Sequence, residues 1–350
     1  MTRMTSRERV LAAFDHVEPD RVPAWCGASE EFWGKAKLRL AMDDESLRLR
    51  LGDDFRRVWA RYAGPDFPLA ADVISRTPFG VERRGLGYGQ PVNHPLAGAT
   101  LPRIHDYPWP DPTWMDVSGI QQDARKYGGE YAILGGDWSP FWHDAIDLLG
   151  MEDLYFEMYD KPERVDALMR HIVDYYAEVS QRIFDAAADA IDIFFIGNDF
   201  GSQTGPLLGD QLFERFILPH LRRLIDLGHA YGLKVMLHCC GGFAPLIPMM
   251  IEAGLDGLHA VQPCCHGMEL RKLKAEFGEK ILFNGCIDSQ HVLIEGTPDF
   301  VREKTREVLE IMMPGGGFVA GASHDTILEE TPLENVLAMF DAIREYGVYA

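Results

Sequence analysis

Residues 233–242 read Leu233-Lys234-Val235-Met236-Leu237-His238-Cys239-Cys240-Gly241-Gly242. The apolar run 233–237 has the length of one buried strand, and it ends abruptly in a histidine, two cysteines and a glycine turn. Upstream, 210–231 is patterned as a helix; downstream, 257–261 reads as the next strand. The same alternation recurs on both sides. Residues 162–187 place Val165, Leu168, Met169, Ile172, Val173, Tyr176, Val179 and Ile183 at helical spacing, and further strands are predicted at 191–196, 281–284 and 317–321. Two helix starts are marked by Thr297-Pro298 and by Thr331-Pro332-Leu333-Glu334, where a hydroxyl cap precedes proline and a capping-box glutamate completes the second. With 21–25, 54–61 and 131–135 as remaining candidates the strand count reaches eight. That predicts an α/β fold, a (β/α)8 TIM barrel, in a single domain over 1–350. The proline- and glycine-rich stretch 65–112, with extended pieces at 72–76 and 81–84, is expected as an insertion between the second and third strands, a small β-excursion over the barrel mouth. A doubly wound open sheet is the alternative, and no glycine fingerprint in a strand-to-helix turn supports it.

Composition narrows the function classes. The 350 residues are 47% hydrophobic and 25% charged, an ordinary globular balance. Fifty-four acidic against 34 basic side chains give a formal charge of −20, which argues against nucleic acid and anionic membranes as partners. No apolar run reaches the roughly 18 residues of a membrane span, and the arginine-bearing start has no apolar stretch behind it, so a cytoplasmic protein is expected. Six cysteines, four of them in the adjacent pairs Cys239-Cys240 and Cys264-Cys265, suit free thiols better than bridges.

In a barrel of this type the reacting groups follow the strands. Cys26 follows the first candidate strand, His238, Cys239 and Cys240 the fifth, Cys264, Cys265 and His266 the sixth, Cys286 the seventh and His324 the eighth. All six cysteines therefore fall at strand ends, which favours a use of sulfur beyond packing. Residues two apart at a strand end point the same way, so His238 and Cys240 are expected to aim at one point while Cys239 turns aside. A catalytic zinc ion takes nitrogen and thiolate ligands at roughly 2.0–2.3 Å and keeps one position open. His238 and Cys240 would supply two ligands and His324 the third, with Cys264, Cys265 and Cys286 as competitors. The plainer reading is a close-packed strand end in which histidine and thiols satisfy one another.

Carboxylates lie at the same rim: Asp137, Asp199, Asp288 and Asp325. Asp199 arrives directly behind an apolar run and is the expected catalytic residue, placed to orient substrate, steady a ligand histidine or act as general base. Asp137, Asn198 and Gln203 are expected to contact substrate, and Trp25, with Trp138, Phe141 and Trp142, to wall an apolar pocket. For each carboxylate the alternative is a helix cap, and for each aromatic the core.

Four segments together resemble the uroporphyrinogen decarboxylase superfamily over essentially the whole chain. They are Ser6-Arg7-Glu8-Arg9-Val10 through Asp20-Arg21-Val22-Pro23, the Gly-Asn-Asp-x-Gly-x-Gln segment at 197–203, the H-x-C-Gly at 238–241, and Gly315-Gly316-Gly317-Phe318 through Thr331-Pro332-Leu333-Glu334-Asn335-Val336. The decarboxylases proper carry an arginine-containing R-Q-A-G-R motif after the first strand, whereas this chain reads Pro23-Ala24-Trp25-Cys26-Gly27-Ala28 there. The second branch, the cobamide-dependent methyltransferases, holds zinc with H-x-C and a further cysteine after the last strand. His238 and Cys240 match that pattern, while 320–325 offers His324 where the cysteine would stand. The resemblance implies a zinc-dependent methyltransferase acting on a small-molecule thiol or methoxy compound. Its corrinoid would come from a partner protein, because no D-x-H-x-x-G signature is present. A decarboxylase or lyase of the same fold and a non-catalytic metal-binding or sensing barrel are the alternatives. A homodimer is the oligomeric state that the decarboxylase branch implies.

Overall fold

A computed structural model describes residues 4–85 and 89–349. Seven parallel strands form one sheet: β1 Phe55–Arg57, β2 Ala132–Gly135, β3 Ile193–Gly197, β4 Lys234–His238, β5 Gly257–Val261, β6 Leu282–Ile287 and β7 Phe318–Ala322. They neighbour one another in chain order, each joined to the next by helical crossovers. Strands β2 to β7 are buried along their whole length except for Lys234 at the start of β4, as expected of a sheet covered by helices on its outer face.

The segment 21–25, predicted as a strand, makes isolated bridges instead. Ala24 pairs in parallel with Ala320 of β7, the Trp25 N–H donates to Ala320 O at 2.9 Å, and Asp54 N–H, just before β1, donates to Ala24 O at 3.0 Å. This short piece therefore bonds to both outer members of the sheet. Pro23 is why it forms no longer ladder, since it has no N–H to donate.

Side chains turned inward form a separate cluster of Trp25, Phe55, Leu134, Ile193, Phe195, Met236, Leu282 and Val319, with Trp138 packed against it. Val10, Ala13 and Phe14 of the helix Ser6–Phe14 join this cluster from the end where the strands begin. That helix starts at a complete capping box, Thr5 with Glu8.

The helix predicted at 162–187 is observed as Pro162–Ala187. The one predicted at 210–231 is two helices, Asp210–Phe216 and Leu218–Ala230, broken at Ile217 because Pro219 cannot donate into the preceding turn. Thr297 caps its helix through Phe300 N–H as expected, but Thr331 does not cap the last one. That helix begins at Leu333 behind Pro332, without a side-chain cap.

Within 65–112 the structure has a three-stranded antiparallel sheet of Ser75–Arg76, Glu82–Arg84 and Gln90–Pro91, then a short helix Leu101–His105; residues 86–88 lie outside the described residues. Its anchors are the outer helices: Phe79 packs edge-on to Tyr175 and tilted against Tyr176, and Arg83 pairs with Asp147. Among the described residues no helix is long and apolar enough to cross a membrane.

Candidate metal centre at the strand ends

His238 closes β4, and its register partner on β5 is His259. Equal register on adjacent parallel strands sends both imidazoles to the same face, here the interior, with Nδ1 atoms 3.1 Å apart. One ring must donate and the other accept at that distance. His259 is the acceptor: fully buried between Trp25 and Phe195, it is pushed well below the usual histidine range by burial and by His238 beside it.

On its other edge His238 presents Nε2, 3.3 Å from Cys240 Sγ and 3.4 Å from Asp199 Oδ1. Asp199 Oδ1 also accepts the Cys240 N–H at 2.7 Å, and Oδ2 accepts from His143 Nε2 at 3.2 Å. Burial opposes ionisation of Asp199, but hydrogen bonds from His143 and His238 outweigh it and hold the carboxyl well below its usual range. The ligand atoms of Asp199, His238 and Cys240 all lie within 4.8 Å of one another, as do those of His238, His259 and Asp325.

Glycines make the arrangement sterically accessible. A Cβ on Gly197, the β3 register partner of His238, would sit 1.9 Å from the Trp138 ring, which lies tilted against His238 with centroids 5.4 Å apart. Gly201 comes so close to the H-x-C turn that a Cβ there would be 2.7 Å from Cys240 O, and Gly241 has φ +89°. These contacts press the hairpin Gly201–Ser202 and Gly205–Pro206 onto the turn carrying Cys240.

Several sequence expectations change. His324 does not join either converging group; its Nδ1 lies 2.8 Å from Thr326 O, and the carboxylate one residue on, Asp325, converges instead. Cys264, Cys265 and Cys286 also stay outside both groups. Cys265 bonds Gln262, and burial pushes its thiol up to about 12. Cys239 is fully buried and accepts the Phe200 N–H at 3.3 Å. Asn198 is fully buried too: its carbonyl accepts Trp142 N–H at 2.9 Å and its amide donates to Ser139 O at 3.0 Å, so it holds the helix Phe141–Leu149 rather than a ligand. Asp137 shapes the same bend by accepting Ser139 N–H at 3.0 Å. Gln203 is exposed at the hairpin tip, where its carbonyl accepts His266 N–H at 3.0 Å. Trp25 is core, packed edge-on to Phe55 and Phe195 with its Nε1 buried and unpartnered.

Three groups near the cluster carried no role in the sequence reading: His259, His143 and Arg57. His259 was hidden inside an apolar strand, and His143 inside a helix. Arg57, at the end of β1, stacks on Trp59 at 3.4 Å and lies 5.0 Å from the rings of Trp138 and Phe195. It fell inside the candidate strand 54–61, so the rule that reacting groups follow the strands gave no signal for it.

A parallel α/β sheet with imidazole, thiol and carboxylate groups gathered at its carboxyl end defines the class of protein. The chain belongs to the uroporphyrinogen decarboxylase (URO-D) family, whose profile matches residues 117–346. It is 23% identical to "Methylcobamide:CoM methyltransferase MtbA" of Methanosarcina acetivorans, covering 99% of each chain. It is also 23% identical to "Methylated-thiol--coenzyme M methyltransferase" of Methanosarcina mazei, over 99% of this chain and 95% of that one. A "Uroporphyrinogen decarboxylase" of Syntrophotalea carbinolica is 23% identical over only 63% of this chain and 61% of its own length. The fold is shared with the solved structure of a "methyltransferase from Methanosarcina mazei", at a TM-score of 0.66 and 22% identity, covering 98% of this chain and 99% of that one.

Proposed function

We propose that this chain is a zinc-dependent methyltransferase that moves a methyl group between a corrinoid carried by a separate protein and a small-molecule thiol or methoxy compound. The observation that carries the reading is the His238–Cys240 pair at the end of β4. Tetrahedral ligation by imidazole and thiolate sets their donor atoms about 3.5 Å apart, and Nε2 and Sγ lie 3.3 Å apart. Full-length similarity to proteins named as methyltransferases supports the reaction class, and the partial coverage of the decarboxylase relative weighs the same way.

In this reading His238 and Cys240 are ligands, and Asp325, which converges on His238 and His259 rather than in the group that holds Cys240, supplies the third in place of His324. His259 accepts the Nδ1–H of His238 and so fixes which nitrogen faces the ion. Asp199 orients the turn through the Cys240 N–H. A zinc ion held there lowers the proton affinity of a coordinating thiol, which makes a thiolate available near neutral pH. The architecture we infer is a closed (β/α)8 barrel in one domain, with 21–25 as the eighth stave and 65–112 as an insertion.

The test has two stages. Purified protein is expected to hold close to one equivalent of zinc by elemental analysis, and His238→Ala to lose it. Less than about a tenth of an equivalent, unchanged by that substitution, removes the zinc reading. With zinc present, methylcobalamin and a panel of small thiols are then followed by the cobalamin spectrum. Absence of any spectral change would shift the assignment to a lyase of the same family.

A further inference from the structure

The helix Phe141–Leu149 is tied to the loop after β3 at two successive residues. Trp142 N–H donates to Asn198 Oδ1 at 2.9 Å, and His143 Nε2 reaches Asp199 Oδ2 at 3.2 Å. The second oxygen of Asp199 accepts the Cys240 N–H at 2.7 Å. A continuous line of hydrogen bonds thus runs from the helix, through one carboxylate, to the backbone of the H-x-C turn.

We propose that His143 is a positioning residue of the metal centre: its Nε2–H fixes the Asp199 carboxylate, which fixes the Cys240 backbone and with it the direction of Sγ. The inference rests on the zinc reading above. An ionised carboxylate only accepts, so the proton of this contact belongs to Nε2 of the histidine. Nδ1 is then a lone pair, buried and without a hydrogen-bond partner among the described residues.

The carboxylate has two side-chain torsions. The Cys240 N–H and His238 Nε2 both meet it at Oδ1, which leaves Oδ2 free to swing about that atom. The anchor from His143 at Oδ2 removes the swing. Cys240 is held by a neighbour's side chain rather than by a strand ladder, because β4 ends at His238. Loosening Asp199 therefore reaches the sulfur directly. His143 and Asp199 side chains are 38% and 33% exposed, so their contact contributes little to folding and its effect should show in ligation.

The experiment measures zinc affinity by competition with a chromophoric chelator on the full chain, for wild type, His143→Ala and His143→Gln, with melting midpoints read alongside. Removing an outer partner of a metal ligand costs on the order of 10–100-fold in affinity. We expect His143→Ala to weaken zinc binding about tenfold or more, and His143→Gln, whose amide donates without titrating, to stay within about threefold of wild type. If the alanine variant does not fold, His143→Asn replaces it, since its amide is too short to reach Asp199. Wild-type affinity in the alanine variant overturns the proposal, and so does a glutamine variant as weak as alanine. A wild-type chain that binds no zinc overturns the zinc reading itself, which separates the two failures.

Discussion

The two ends of the sheet treat their charged groups in opposite ways. Where the strands begin, Asp54 is fully buried and accepts five hydrogen bonds: Ser6 Oγ at 2.6 Å, Arg9 Nη1 at 2.9 Å, Arg21 Nη1 and Nη2 at 2.7 and 2.8 Å, and Ala24 N at 2.8 Å. Where the strands finish, imidazoles, a thiol and two carboxylates crowd together while Nε2 of His259, Nδ1 of His143 and Nε1 of Trp25 have no hydrogen-bond partner among the described residues. A satisfied buried charge locks the first helix, the 21–25 segment and β1 to one another. An incompletely satisfied polar cluster is tolerated only where something else completes it. In the function proposed above, the first end serves stability and the second binding.

The largest break of that contrast comes at the satisfied end. Asp54→Ala leaves Arg9, whose side chain is 4% exposed, with Asp20 as its remaining ion partner, and takes the carboxylate from Ser6, Arg21 and the Ala24 N–H as well. Removing one partner of a buried ion pair costs about 3–5 kcal/mol, so urea denaturation should show a loss of that size. A loss below about 1 kcal/mol would mean that this end is no more fastened than the surface.

Substitution at the open end should do the reverse. Asp325→Ala is expected to weaken zinc binding at least tenfold, about 1.4 kcal/mol, while urea stability without metal stays within about 1 kcal/mol of wild type. Chelation of the wild-type chain should likewise abolish methyl transfer and leave the circular-dichroism spectrum of the fold in place. Unfolding on chelation would make the metal a structural fastener and erase the distinction between the two ends.

Legibility in the sequence follows the same division. Alternation of apolar runs with helical periods located the strands of the sheet within a few residues, because parallel strands covered by helices are mostly apolar, with β1, Phe-Arg-Arg, as the exception. The 21–25 segment was found as a position but not as a bonding pattern, since Pro23 limits it to single bridges. His238 and Cys240 were legible because two-residue spacing at a strand end is a local rule. The rest of the cluster depends on register and loop path. His259 meets His238 only because β4 and β5 align those two residues, and Asp325 rather than His324 turns inward through the course of a loop. Asn198, read as a substrate contact, serves the helix start because its partners lie some sixty positions away in the chain.

Asp144 sharpens the comparison from between the two ends. It lies on the helix that carries His143, 4% exposed and bonded by Tyr176, and burial, with Asp147 adding to it, lifts it from the ordinary 3.8 to about 7 although the Tyr176 bond opposes the rise. The folded state therefore binds a proton that the unfolded chain releases. Stability from this group is complete below pH 3.8 and is lost as pH rises to about 7. One proton sets a slope of at most about 1.4 kcal/mol per pH unit, and Asp144→Asn should remove it, so that the variant gains on wild type steadily between pH 4 and 7. A pH-independent difference between the two would place Asp144 with the satisfied charges, as an ionised partner of its neighbours.

The smallest expected effect discriminates most finely within the open end. His324 and Asp325 are adjacent on the loop after β7, and only the second converges with His238. His324 has Nδ1 occupied by Thr326, whose carbonyl lies 2.8 Å away. His324→Ala should therefore shift zinc affinity by less than about twofold, about 0.4 kcal/mol, in the assay where Asp325→Ala costs tenfold. The reverse order would mean that the loop turns by one residue when the ion binds, and His324 would then replace Asp325 in the ligand set. Equal losses from both would make the two side chains act as one unit, the carboxylate ligating and the imidazole holding the loop that presents it.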